Sequence, residues 1–193
     1  MFTPELGDAL KPGRWGAETS EPVRLSVYRA SLVQLALRRG GGEGIATVIR
    51  ERLGIALPRP GHAETAGDVT ALWMQPETWL LVTPETASGD FMRQLQMICG
   101  GAGSLVDQTH GRAILDVSGR QAREVLARIC RIDLHPRAFS TGRVAVTLIA
   151  EVACLLHQYD EAPGFRLFVP SSLAAWFTHA LTKAAAGIGY EAT

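Results

Sequence analysis

The chain has 193 residues, 47% of them hydrophobic, and its 19 Lys+Arg balance 19 Asp+Glu to a formal net charge of zero. That length suits one domain, or two small halves sharing a core, and the charge balance excludes nucleic acid as the main partner, which calls for a basic excess. No apolar run approaches the roughly 18 residues of a membrane helix, and the opening MFTPELGDAL lacks the basic-then-apolar order of a secretion signal, so a cytoplasmic protein without membrane contact is expected.

Residues 1–30 contain Pro4, Pro12, Gly13, Gly16 and Pro22 with no sustained period. They read as an extended arm carrying Trp15, which either packs on its own domain or lies on a partner chain that supplies the surface it lacks. Leu32 to Arg38 alternates as a strand. Gly40-Gly41-Gly42 then precedes a helix with Ile45, Val48, Ile49 and Leu53 on one face. A triple glycine there suggests a phosphate cradle, but no Lys-Ser/Thr or full dinucleotide fingerprint follows, so a flexible turn is the better reading. After a loop at Pro58, Pro60 and Gly61 come two strands, Thr70 to Met74 and Thr78 to Val82, with Trp73 and Trp79 as core or cross-strand packing. Pro84 and Ser88 introduce a helix whose apolar face is Phe91, Met92, Leu95, Ile98 and Cys99, ended by Gly100 and Gly101.

Gly111 to Val117 reads as a strand with Ala113, Leu115 and Val117 on one side. Ser118 followed by Gln121 is a capping-box pattern, and Ala122, Val125, Leu126, Ile129 and Cys130 form one helix face. Glu124 and Arg128 stand four apart in the favourable order. Asp133-Leu134-His135-Pro136-Arg137 cannot continue the helix, because the residue before a proline is pushed out of the α region. Strands from Arg143 to Ile149, Val152 to Gln158 and Phe165 to Val169 follow. Ser171 is placed to cap a last helix, with Leu173, Trp176, Phe177, Ala180, Leu181 and Ala184 on its apolar face, and Tyr190-Glu191-Ala192 reads as a short edge strand.

The order is β-α-β-β-α-β and then approximately the same again. WLLVTP before one helix answers RLFVP before another, and VIRERLGIALP answers VLARICRIDLHP. An internal duplication follows: an α+β domain over residues 31–193, built of two split β-α-β (ferredoxin-like) halves, about 31–108 and 109–193.

Polar residues concentrate at the joints of the second half: Asp107, His110, Arg112, Arg123, Asp133, His135 and Arg137. A hydrolytic site would need a nucleophile with a base; Ser118 reads as a cap and Thr109 has no evident base. Asp107, His110 and His135 lack metal-ligand spacing, as do Cys99, Cys130 and Cys154, which read as reduced core thiols. No catalytic, cofactor or metal residue is assigned. The cluster reads either as a structural network, with Arg112, Asp116, Asp133 and Arg137 pairing among themselves, or as a subunit interface, where arginine is enriched.

The run DQTHGRAILDVSG, then AREVL, then DLHPRAF, nearly continuous from Val106 to Thr147 and looser to about Ala186, resembles the γ subunit of heterotetrameric sarcosine oxidase. More distantly it resembles the N-terminal folate-binding domain of the glycine-cleavage aminomethyltransferase family. The resemblance implies a non-catalytic subunit of an oxidase that demethylates sarcosine to glycine, supporting assembly and the folate-binding part of the α subunit. Its partners would be α, β and δ subunits, α most directly. FAD, FMN, NAD and tetrahydrofolate would sit on those partners, and none on this chain alone. Aminomethyltransferases carry an acidic pair, V-D-D-L-L, on the strand after the corner; the matching run here is Val152-Ala153-Cys154-Leu155-Leu156, without the acids. A stand-alone folate-binding module and a small aminomethyltransferase-like protein are the alternatives, but the Lys-Gly-Cys-Tyr-type motif of folate-dependent iron–sulphur assembly factors is missing.

Overall fold

The computed structural model describes residues 10–38, 42–85 and 88–193; the Gly40-Gly41 part of the triple-glycine turn lies outside them. In chain order the strands and helices are β1 (Gly13–Trp15), β2 (Val23–Val27), β3 (Ala30–Leu37), α1 (Gly42–Leu53), β4 (Ala63–Ala66), β5 (Val69–Gln75), β6 (Thr78–Pro84), α2 (Ser88–Cys99), β7 (Gly103–Asp107), β8 (Arg112–Ser118), α3 (Ala122–Ala127), β9 (Val144–Ile149), β10 (Val152–Asp160), β11 (Gly164–Pro170), α4 (Ala174–Ala186) and β12 (Tyr190–Ala192). They fall into two units. One is Arg29–Thr109; the other combines His110–Thr193 with the N-terminal residues through Tyr28.

In the first unit a five-stranded antiparallel sheet runs β4-β5-β6-β3-β7. Alternate residues Val33, Leu35 and Leu37 of β3, with Leu81 of β6 and Ala71 of β5, pack with Ile49 of α1 and Phe91, Leu95 and Cys99 of α2. Period-2 strands and period-3.6 helices therefore bury their apolar sides in one core. Trp73 stands directly opposite Trp79 across β5 and β6, the cross-strand placement expected for the pair.

The second unit repeats this plan. Its sheet runs β1-β12-β2-β8-β11-β10-β9, so β9, β10, β11 and β8 follow the order of β4, β5, β6 and β3. β6 and β11 both end on a proline, Pro84 opposite Ala30 and Pro170 opposite Arg112. Where β7 lies antiparallel to β3, however, β2 lies antiparallel to β8, and β12 adds parallel to β2. The expected extended arm is therefore sheet: Val23 and Leu25 are fully buried in this unit's core. Two glycines lock it in place. At Gly16 and Gly189, φ is +84° and +94°, and an added Cβ would lie 2.3 Å from the Ala186 carbonyl oxygen and 2.2 Å from that of Ala17. The backbones close on each other through the Ala17 N–H, which donates to the Ala186 carbonyl at 2.8 Å. β12 covers the three residues read as an edge strand, but it is an interior strand between β1 and β2.

Two expected serine caps are not made, and two helix faces differ. Ser118 stays in the β8 ladder opposite Arg24 and Gly164, and α3 starts instead with the Ala122 N–H donating to the Gly119 carbonyl. The helix also stops early, at Ala127, because Cys130 pairs across to Ile149 of β9 and pulls the chain into extended form. Ser171 lies in a 3-10 turn, Ser171–Leu173, with its N–H given to the Gly111 carbonyl. α4 buries Ala174, Phe177, Thr178, Leu181, Thr182 and Ala185, and leaves Leu173 and Trp176 43% and 55% exposed. The threonines cost little there because their hydroxyls donate to carbonyls of their own helix, Thr178 to Ala174 and Thr182 to His179.

Candidate functional site

The Asp133–Phe139 corner follows from local chemistry. Asp133 Oδ1 accepts the His135 N–H at 2.8 Å, the side-chain turn that aspartate favours. His135 Nδ1 accepts the Arg137 N–H at 3.2 Å, and the His135 carbonyl accepts the N–H groups of Ala138 and Phe139. Leu134 and Phe139 sink into the core on either side. Arg123 ties the corner to α3: its Nη1 donates to the carbonyls of Leu134 and Phe139, and the guanidinium lies 5.2 Å from the Phe165 ring centroid. Burial lowers its proton affinity. One cation thus satisfies two carbonyls that no ladder reaches, which makes Arg123 a brace for the corner rather than a solvated residue of a helix face.

Asp107 belongs to the first unit, where its Oδ1 accepts the Thr109 N–H at 2.8 Å and Thr109 Oγ1 accepts the Leu32 N–H. His110 is exposed just before β8. Arg112 opens β8; its Nε is buried without a hydrogen-bond partner, and burial lowers its proton affinity. The network of Arg112, Asp116, Asp133 and Arg137 is not formed, because Asp116 is engaged elsewhere: Arg166 grips it with Nε to Oδ1 at 2.8 Å and Nη2 to Oδ2 at 2.9 Å.

That bidentate pair is the best-built polar feature of the second unit. The side chains are only 15% and 13% exposed. The Arg166 guanidinium stacks on Tyr28 at 3.4 Å from the ring centroid and faces Tyr159 at 4.8 Å. Burial pulls its pKa down, but the hydrogen bonds and charge of Asp116 more than reverse this and hold it above the ordinary value. His157, opposite Arg166 on β10, is 6% exposed. Burial, then the charge of Arg166, push its pKa down to about 4, so it is neutral at pH 7. The sequence signal for this cluster is Asp116 and Arg166, each a charge set among apolar strand residues, ILDVS and FRLFV.

The run Val152 to Leu156, matched above to the aminomethyltransferase acids, lies on β10 of the same sheet. Ala153 is exposed on β10. Cys154 is buried in the core, its thiol pushed well up by burial. Among the described residues no three His, Cys, Asp or Glu side chains are grouped to hold a metal, and no helix is long and apolar enough to cross a membrane.

The duplicated α+β plan is that of a known class. Aminomethyltransferase T of the glycine cleavage system from Bartonella henselae superposes with a TM-score of 0.63 at 13% identity, over 83% of this chain and 45% of that one. Heterotetrameric sarcosine oxidase from Corynebacterium sp. U-96, in complex with pyrrole 2-carboxylate, contains a chain that superposes with a TM-score of 0.81 at 23% identity, over 96% of this chain and 94% of that one. Sarcosine oxidase subunit gamma from Arthrobacter sp is 31% identical over 159 residues, 80% of this chain and 78% of that one. The model of the "Sarcosine oxidase, gamma subunit" family matches residues 40–187. The chain belongs to the sarcosine oxidase gamma subunit family.

Proposed function

We propose that this chain is the non-catalytic γ-type subunit of a flavin-dependent heterotetrameric sarcosine oxidase. It acts through assembly and support of the folate-binding part of the α subunit while the complex demethylates sarcosine to glycine in the cytoplasm. The observation that carries the reading is the pairing of family membership with Ala153 and Cys154 at the acid positions. An exposed methyl and a buried neutral thiol do not fit folate chemistry, since neither meets the positive charge that develops on an amine nitrogen. Tetrahydrofolate is therefore assigned to a partner subunit, and by the family resemblance FAD, FMN and NAD are assigned with it to the α, β and δ subunits.

The test is purification of the tagged chain from extract of its own cells. Co-purifying larger chains, a flavin absorption spectrum and sarcosine-dependent peroxide are expected. A colourless single chain overturns the reading, and tetrahydrofolate binding by that chain would put a stand-alone folate module in its place.

A further inference from the structure

A groove of about 380 Å³ opens beside the Asp133–Phe139 corner, lined by Arg123, Pro136, Ser140, Thr141, Gln158 and Glu161, all of the second unit. Small-molecule sites run from about 300 to 1,000 Å³, so it can hold a small ligand. One wall is a turn. The Arg143 N–H donates to the Ser140 carbonyl, and the N–H of Gly142, at φ +79°, donates to the Gln158 carbonyl. Ser140 and Thr141 are exposed on that turn.

Gln158 is the buried member of the lining, 1% exposed near the end of β10 and opposite Phe165 of β11. Its Nε2 donates to the Asp160 carbonyl at 3.1 Å. That bond fixes the amide's orientation, because the flipped form would set two carbonyl oxygens together. Oε1 is left buried with no hydrogen-bond partner among the described residues. An acceptor in that state is costly unless a donor reaches it. Arg123 spends Nη1 on the Leu134 and Phe139 carbonyls, and its other N–H groups meet no acceptor among the described residues. Glu161 is exposed on the same groove, and no ion pair joins it to Arg123. Opposite charges thus line one groove without meeting.

We propose that this groove binds a small amino acid as its zwitterion. The ammonium donates to Gln158 Oε1 and faces Glu161, while the carboxylate accepts from the remaining N–H groups of Arg123 and from the Ser140 and Thr141 hydroxyls. An anion alone would leave Gln158 Oε1 unmet and face the Glu161 carboxylate. A cation alone would face the Arg123 guanidinium. Water can donate to Oε1 but carries neither charge. Pro136 is the one apolar residue of the lining, so a ligand with little or no side chain fits best. The site lies wholly within this chain, so it goes beyond the subunit reading and stands or falls apart from it.

The test is calorimetric titration of the full chain with glycine and N-methylglycine, and with acetate and methylamine as the two halves alone. At least one of the amino acids is expected to bind at least about tenfold tighter than either half, a difference of about 1.4 kcal/mol. Gln158→Met keeps the length of the side chain and removes the acceptor. Glu161→Gln removes an exposed charge and leaves the core untouched. Both are expected to weaken amino-acid binding, Gln158→Met by at least about tenfold, as the loss of a hydrogen bond to a charged group requires. Should Gln158→Met fail to fold by circular dichroism, Glu161→Gln and the exposed Ser140→Ala decide the matter. No binding of either amino acid overturns the inference and leaves Oε1 to water. Acetate or methylamine binding as tightly as the amino acids overturns the zwitterion. Amino-acid binding left unchanged by any folded variant overturns the assignment to this groove.

Discussion

Replacing Asp116 by alanine tests the physical account of the second unit most directly. The carboxylate is the counter-charge of a guanidinium that is 15% exposed and held between two tyrosine rings. Arg166 cannot shed its proton at any ordinary pH, so Asp116→Ala leaves an uncompensated charge among buried neighbours. Breaking a buried pair in this way costs about 3–5 kcal/mol. In a chain of this length each kcal/mol lowers the melting temperature by roughly 2–4 °C, which sets the expected fall at roughly 6–20 °C. The double substitution Asp116→Leu with Arg166→Met removes both charges and keeps apolar volume. It should recover most of the loss, since apolar replacements of buried pairs are commonly neutral or better. Urea and thermal unfolding followed by circular dichroism measure Asp116→Ala and the four corners of the cycle, wild type, Asp116→Leu, Arg166→Met and the double substitution. An Asp116→Ala variant within about 1 kcal/mol of wild type, below the range for a broken buried pair, would refute the reasoning. So would a double variant as unstable as the sum of the single ones, because the penalty would then not be electrostatic.

Further outcomes follow from neighbouring features. His157 is neutral in the folded chain down to about pH 4, against an ordinary value of 6.5. Between those values the unfolded chain binds the proton and the folded chain does not. Stability should therefore fall by about 3 kcal/mol as pH drops through that window. His157→Gln should flatten the slope of melting temperature against pH, and an unchanged slope would count against the assignment. The β9–β10 turn holds Ala150 and Glu151 at φ of +47° and +63°, a conformation suited to Asn-Gly. Ala150→Asn with Glu151→Gly should stabilise by about 1 kcal/mol, because the Arg131–Glu151 pair it removes is 62% and 68% exposed and contributes little. Arg123→Ala removes both hydrogen bonds to the corner carbonyls. It should cost about 3–6 kcal/mol, as charged hydrogen bonds contribute about 1.5–3 kcal/mol each. Faster proteolysis at Arg137 would report the loosened corner.

The features legible in the sequence are those fixed within one or two turns of chain. The exit from helix before Pro136 and Glu124 paired with Arg128 at 2.8 Å both depend on local spacing. Alternation identified the strands around Trp73, Leu115 and Leu167, and the repeated strand-to-proline corners exposed the duplication, because an apolar period reports a buried face whatever covers it. Ser118 and Ser171 show the limit of that reasoning: each has the local pattern of a cap, and each is held in another structure by distant partners, β11 and β2 for one and Gly111 for the other.

Register and strand order belong to the tertiary structure. Asp116 and Arg166 are visible as isolated charges in apolar strands, but nothing in their spacing of fifty residues says that they meet. That follows from β8 and β11 pairing Asp116 with Arg166 in register. The N-terminal residues lack any period of their own because β2 and β1 gain their order from β8 and β12, more than eighty residues away in sequence. The place of β9 at the end of its sheet is likewise invisible in VAVTLI. The sequence alone determined that this stretch would be a strand, since its β-branched residues suit a pleated, half-buried surface; only the folded sheet decided that it would be the last strand, because β10 pairs with one side of it and β11 with the far side of β10.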